Sequence, residues 1–501
     1  MNYVTKVYLF MILIHSITNG QHFISADPSK LFKYEKEQFV SQENQQSLMI
    51  RPIKYNSIGP KWMITIKNEF FFNDNGPNLE NMGNRWVGKG AGYFSGLKFS
   101  YLSNFLALTI EPYYYFNQNK YTKNKDRFSP YGSEHPNIFN VLNDNRIHLE
   151  KPYKLFGLRE SQLYFYYKQF AIGISNANMW WGPGIHTSLT MTNNTSGFPH
   201  LMIGTLSEKR FQNMGINFRY IFTQLNEVRG DPYYTSLVST ARFYTNPIIT
   251  IGFSRNYLSG GLPTDRPFNS LDAALLPFES LFIDSKMKNY SPDWEAHDRW
   301  DETMAGFATM EFPKSQLKLF IEIGTDDHRQ NWMDLRSQPD HNSASIIGLR
   351  KYGFFHNQLL LGGFEYANIK QTYTSKFRGG GHWWWKDYYD YSTYDGRRWA
   401  AHSGSDSDDF FLYFGYQDSH RSFIPSVNYE RRGIITGNFP EVKIELRLDL
   451  GFVYREFHIN VYFERELIIN SEFQSDRKLT SNLLWFGVEK YLTSDFSNIK
   501  N

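Results

Sequence analysis

The sequence predicts an all-β chain closed into a transmembrane antiparallel β-barrel. Three observations carry that reading. Apolar and polar residues alternate with period two in stretch after stretch. The composition is aromatic, with 34 Tyr, 43 Phe and 12 Trp making up 18% of a chain that is otherwise hydrophilic. A membrane barrel needs that combination, because its girdles take Trp and Tyr while its lumen and loops stay polar. Beyond the N-terminal stretch no run of about 18 apolar residues occurs, so helical spans are excluded and any crossing is made by strands.

Taken in order, the first element is a signal peptide over residues 1–20. Lys6 precedes an apolar run from Val7 to Ile14, then small and polar residues at Ser16, Asn19 and Gly20. Its core is too short to span a membrane, and cleavage is placed at Gly20/Gln21. Residues 21–60 are read as an N-terminal periplasmic segment and residues 61–501 as the barrel. Alternation marks residues 105–112, 161–175, 215–222, 248–254 and 316–324, the last with Leu317, Leu319, Ile321 and Ile323 on one face. Near the C-terminus Ile444, Leu446, Leu448, Leu450 and Phe452 oppose Glu445, Arg447, Asp449 and Gly451. A turn at Arg455-Glu456 leads to Ile459, Val461 and Phe463, and Leu484, Phe486 and Val488 form a closing strand. Each stripe has the roughly 9–11 residues that a tilted membrane strand requires. At about 26 residues per strand and connection, the chain accommodates on the order of 18 strands. Residues 270–282 break the pattern, with good helix formers, Ser270 as N-cap and Pro277 as a point of division.

Composition also narrows the function. Cysteine is absent, which removes disulfides and thiolate metal sites. The 53 basic and 50 acidic residues nearly cancel, leaving +3 and no global electrostatic case for nucleic acid. No Gly-x-Ser-x-Gly elbow, P-loop or His-Glu-x-x-His occurs, so no catalytic residue and no cofactor is assigned. A pair of glycosidase carboxylates need not be close in sequence and stays open. Asp326-Asp327-His328, with His341, offers ligand types suited to a divalent cation. Adjacent residues at a strand end diverge, however, so the group is read as stabilising a loop and no metal site is assigned. Glu295, His297, Asp298, Arg299, Asp301 and Glu302 are read as ion pairs that tether a luminal insert to the wall.

Two segments stand out. In the first, Trp180-Trp181 ends a strand and sends one indole to each face, and Gly182-Pro183-Gly184 then forces a tight turn. Ser188-Leu189 follows, and Asn193, Asn194, Gly197, Phe198, Pro199 and His200 specify a long irregular connection. This segment resembles the signature of the Wzi-type capsule assembly proteins, outer-membrane barrels that bind bacterial surface polysaccharide. The resemblance continues in order through residues 81–93, Asp298-Arg299-Trp300, residues 322–328, Pro339-Asp340-His341, Gly348-Leu349-Arg350 and residues 363–366. It implies a monomeric, non-catalytic lectin in the outer membrane of a Gram-negative bacterium, with capsular or other surface polysaccharide and membrane lipid as partners. It also implies about 18 strands and a small helical plug, placed at about residues 265–300 on the helical stretch.

The second segment, from Gly379 to Asp409, is where the chain departs from that family, which leaves the ligand open. Trp383, Trp384, Trp385, Tyr388, Tyr391, Arg397, Arg398 and Trp399 are the candidate sugar contacts. Indole and phenol faces stack on pyranose rings, and Arg pairs with acidic substituents. An interfacial aromatic girdle would use the same residues. Gly379-Gly380-Gly381 and a polar tail from Ser403 favour an exposed loop. A porin or glycan-selective channel is the competing class, separated from a lectin by whether the lumen is blocked.

Overall fold

The computed structural model describes residues 22–41, 45–55, 62–78, 80–122, 151–226, 231–260, 269–279, 300–326, 332–355, 357–378, 393–394, 397–404, 406–435 and 439–493. The expected signal peptide, Trp383, Trp384, Trp385, Tyr388, Tyr391, Glu295, His297, Asp298, Arg299, Asp327 and His328 lie outside the described residues.

Eighteen antiparallel strands close into one barrel, as the strand spacing predicts. They are β1 (Trp62–Asn73), β2 (Gly90–Leu102), β3 (Leu106–Asn117), β4 (Tyr153–Tyr167), β5 (Phe170–Ser175) and β6 (His200–Thr205, resumed at Lys209–Phe211). Next come β7 (Met214–Gln224), β8 (Tyr233–Phe243), β9 (Ile248–Ser259), β10 (Trp300–Phe312), β11 (Leu317–Asp326) and β12 (Ser343–Phe354). The last six are β13 (Asn357–Ile369), β14 (Ser407–Gln417), β15 (Arg421–Arg432), β16 (Glu441–Tyr454), β17 (Phe457–Ile469) and β18 (Lys478–Thr493). β18 is the closing strand, pairing with β1 from Leu483↔Asn73 to Thr493↔Met63.

Alternation decides which side chain faces which solvent. On β16, Leu446 and Phe452 are exposed on the outer wall, whereas Glu445, next to Leu446, is buried toward the lumen. The hairpin at Arg455-Glu456 forms as expected, with Tyr454 opposite Phe457 and Arg455 at φ 54°. The stretch 161–175 is two strands rather than one, because Lys168 takes a left-handed φ of 57° and reverses the chain between β4 and β5. Short turns of this kind gather at one end, and the long connections at the other. In bacterial barrels the short-turn end faces the periplasm.

The helix α2 forms over Ser270–Glu279, capped by Asn269, whose Oδ1 accepts the Asp272 N–H at 2.9 Å. Of the expected plug at about 265–300, the described part is essentially this helix, and it lies against the outside of the wall rather than in the lumen. α2 contacts Tyr220 and Thr235, which alternate with luminal neighbours and therefore face outward. The N-terminal segment, expected to be periplasmic, contributes to the filling of the lumen, with Met49 and Ile50 in the central cluster. Its helix α1 (Leu31–Ser41) lies across the short-turn end. Glu35 pairs with Arg350 of β12 at 3.1 Å and Lys318 of β11 at 3.4 Å, and Phe39 packs on Tyr352 at 5.7 Å. Lys30, just before α1, pairs with Glu489 of β18 at 3.0 Å. Among the described residues no helix is long and apolar enough to cross a membrane.

Candidate functional site

The Trp-Trp-Gly-Pro-Gly segment runs inside the barrel. Trp180 and Trp181 pair with Arg51 and Ile50 of the N-terminal segment in a two-stranded luminal ribbon. Both indoles are fully buried, as are Trp86 and Trp399. The strand is not part of the wall, so both of its faces meet packed protein and neither indole reaches solvent. Arg51 lies over the Trp180 ring at 4.9 Å, and Trp181 packs into the central cluster with Met49, Leu189, Met191 and Phe198.

Two wall carboxylates hold the turn that follows. Glu365 of β13 accepts the backbone N–H groups of Ile185, His186 and Thr187 at 2.6, 3.0 and 3.3 Å. Glu322 of β11 accepts from Leu189 N at 3.0 Å and from Ser188 Oγ at 3.2 Å. Three convergent amides are a donor set that suits a buried carboxylate. Arg350 completes the clamp, donating to the Pro183 carbonyl at 2.8 Å and to Glu35 at 3.1 Å. One guanidinium thus ties turn, wall and α1 together.

The asparagine end of the segment joins the long loops. Asn193 donates to Asn81 O at 2.9 Å, Asn194 to Arg398 O at 2.8 Å and Thr195 to Tyr394 O at 2.7 Å. The Phe198 ring meets Tyr394, Tyr234 and Trp399 at 5.4, 5.7 and 5.8 Å. Pro199 O accepts the Thr223 hydroxyl, and Gly197 fits where a Cβ would come within 2.1 Å of Asn176 O. His200 Nδ1 lies 2.8 Å from Phe198 O.

This changes the standing of two candidate sugar contacts. Trp399 is fully buried against Tyr234, at 4.9 Å between rings, and Arg397 is buried and donates to Arg85 O at 3.1 Å. Both knit the luminal core, so they are corrected from exposed contacts to structural residues. Arg398 is half-buried. What the described residues show of the aromatic loop is its approach. A short helix, Tyr373–Arg378, leads into it at the long-connection end, with Tyr373 and Phe377 exposed and their rings 4.6 Å apart. Asp340 accepts Thr374 N at 3.2 Å and Thr374 Oγ1 at 2.5 Å, which pins this stem to the neighbouring connection.

Sequence spacing gave no sign of a charged group that the fold assembles in the lumen. Asp409 lies 3.1 Å from both His186 and His402; His402 is also 3.6 Å from Glu80 and 3.5 Å from Glu430. Lys443 approaches Glu430 at 3.0 Å and Glu445 at 3.5 Å. Donor atoms of His186, His402 and Asp409 lie within 4.8 Å of one another, a spacing compatible with a metal. Lys443 and the histidines already face these carboxylates, however, so the set works as an ion-pair network. Burial alone would lower the His402 imidazole, but Glu80, Asp409 and Glu430 outweigh it and raise it to about 10. A histidine raised in this way stabilises the fold fully below its unfolded value of about 6.5. That contribution is lost as pH climbs toward 10. The urea midpoint should therefore fall between about pH 6.5 and pH 10, and His402→Asn should flatten the fall. A wild-type profile identical to the variant's would refute the assignment.

No family model and no curated protein matches this chain. Its fold is similar to that of Wzi, an outer membrane protein involved in group 1 capsule assembly in Escherichia coli and described as a carbohydrate-binding β-barrel. The TM-score is 0.61 at 11% identity, over 94% of this chain and 99% of that one. Two Pseudomonas aeruginosa barrels align less well. OccK8 (OprE) has a TM-score of 0.45 at 8% identity, over 86% of this chain and 98% of that one. OprD has 0.41 at 6% identity, over 87% and 95%.

Proposed function

We propose that this barrel is an outer-membrane surface lectin that binds capsular or related polysaccharide without turnover and helps to hold it at the cell surface. One observation carries the choice between lectin and channel: Trp86, Trp180, Trp181 and Trp399 lie within the lumen and are all fully buried. In a water-filled pore, indoles at the centre would be wet. The outward apolar wall supports placement in a membrane, and the exposed Tyr373 and Phe377 support a sugar-facing long-loop end. Trp383, Trp384, Trp385, Tyr388, Tyr391 and Arg398 are the proposed contacts, each stacking or pairing weakly and gaining from repetition along the polymer and across barrels. The barrel acts as a monomer in this reading, with neither metal nor cofactor.

In planar bilayers the purified protein should give little steady conductance; a large, stable conductance would replace the lectin with a porin. On immobilised surface glycan, replacing Trp383, Trp384 and Trp385 together with Ala should weaken retention about tenfold or more, at roughly 0.5–1.5 kcal/mol per stacked ring. Full retention by a folded, heat-modifiable triple variant would remove these residues from the site.

A further inference from the structure

The outer-wall helix α2 is not used by the lectin reading, and its contacts are specific. Tyr220 alternates with Arg219, whose guanidinium donates to Pro52 O inside the lumen, so Tyr220 points out. Thr235 lies between Tyr234 and Ser236, which both bond Asn256 in the interior, at 3.1 and 2.7 Å. Tyr257 stands opposite Thr235 in the register of β8 and β9 and shares its outward face. All three outward side chains are nevertheless buried, and α2 lies against them.

The seating is specified by Pro277. In an α-helix the Ala273 carbonyl would accept the N–H of residue 277, and proline has none. Thr235 Oγ1 supplies the missing bond, donating to Ala273 O at 2.8 Å. Tyr220 Oη donates to Ala274 O at 2.7 Å, and its ring meets Phe278 at 5.5 Å. Wall hydroxyls thus satisfy backbone that water would otherwise serve, which is the requirement of an apolar medium. Ala273 and Leu276 face the wall and are buried. Leu271, Leu275 and Phe278, at spacings of four and three, form one exposed apolar stripe whose Phe278 end borders Tyr220. α2 lies against the wall at the level of Tyr257, just past the point where the outward face of β9 changes character. Ile251 and Phe253 are exposed and apolar, and Arg255, two residues further on, is paired with Glu302.

We propose that α2 is an interfacial helix on the outside of the barrel, with Leu271, Leu275 and Phe278 inserted among acyl chains of the outer leaflet at the headgroup boundary. The stripe lies on the same outward wall that bares Ile251 and Phe253, just past the Arg255–Glu302 pair, and this position at the rim of the apolar wall identifies lipid as the occupant. The inference rests on the membrane placement proposed above.

Because the chain has no cysteine, single labels are clean. Nitroxides at L275C, at F253C on the wall of β9 and at S475C on an exposed outer loop would be compared in lipid vesicles for collision with oxygen and with a water-soluble nickel chelate. Oxygen should dominate at 275 and 253, and nickel at 475. Nickel dominance at 275 with oxygen dominance at 253 would overturn the interfacial helix and leave the membrane barrel standing. Nickel dominance at 253 would remove the membrane placement itself, and this proposal with it. Dipolar broadening between 275 labels on separate chains would replace lipid with a second copy as the occupant.

Discussion

Replacing Gly184 with alanine should cost the barrel about 3 kcal/mol of stability, read as a lower urea midpoint and a smaller heat-modifiable fraction. A Cβ there would come within 2.1 Å of Thr187 O and 3.1 Å of a Glu365 oxygen. The first contact is backbone, so the turn itself must move. Moving it pulls Ile185, His186 and Thr187 off Glu365, leaving a buried carboxylate short of donors. Gly182 should be comparably intolerant, since its φ of +129° is one that side chains rarely adopt and a Cβ would meet a Glu322 oxygen at 2.7 Å. Pro183→Ala is the control, because its carbonyl, not its ring, bonds Arg350. If G184A and P183A unfold together at the wild-type midpoint, the carboxylate cradle is not what holds the turn.

The second large effect is expected at Arg350. Arg350→Met removes a side chain shared by wall, turn and α1, and leaves Glu35 and Glu365 buried with less compensation. Breaking one partner of a buried ionic network typically costs about 3–5 kcal/mol. Lys318 still holds Glu35 at 3.4 Å, so α1 should loosen rather than leave, and the variant should show intermittent conductance in planar bilayers that the wild type lacks. Glu365→Gln, which keeps an acceptor for the three amides, should be milder. A silent R350M, with unchanged midpoint and no openings, would mean that α1 is held by packing alone.

The wall was readable in the sequence because each strand carries its own pattern. Leu446 and Phe452 against Glu445, or Leu484 and Phe486 against Trp485, announce their faces without reference to any partner. The lumen was not readable in the same way. Glu35 meets Arg350 across 315 residues, and Asn194 meets Arg398 across 204. Neither separation leaves a local trace. The helix over Ser270–Glu279 was legible from its residue types, but its side of the wall was not, because that depends on the outward parity of Tyr220 and Thr235 on other strands. Trp399 shows the limit most sharply: in sequence it continues an aromatic loop, whereas in space it packs against Phe198 and Tyr234.

The closing pair β18–β1 joins strands separated by most of the chain. Everything in the lumen precedes or lies between those strands, and Lys30 reaches across to Glu489 on the last of them. Glu489 is in place for Lys30 only once β18 has been added, so this ion pair forms together with the seam. The stopper is part of the same chain as its cylinder, and every closed barrel therefore carries its own, held at the mouth by contacts such as Lys30–Glu489 and Glu35–Arg350.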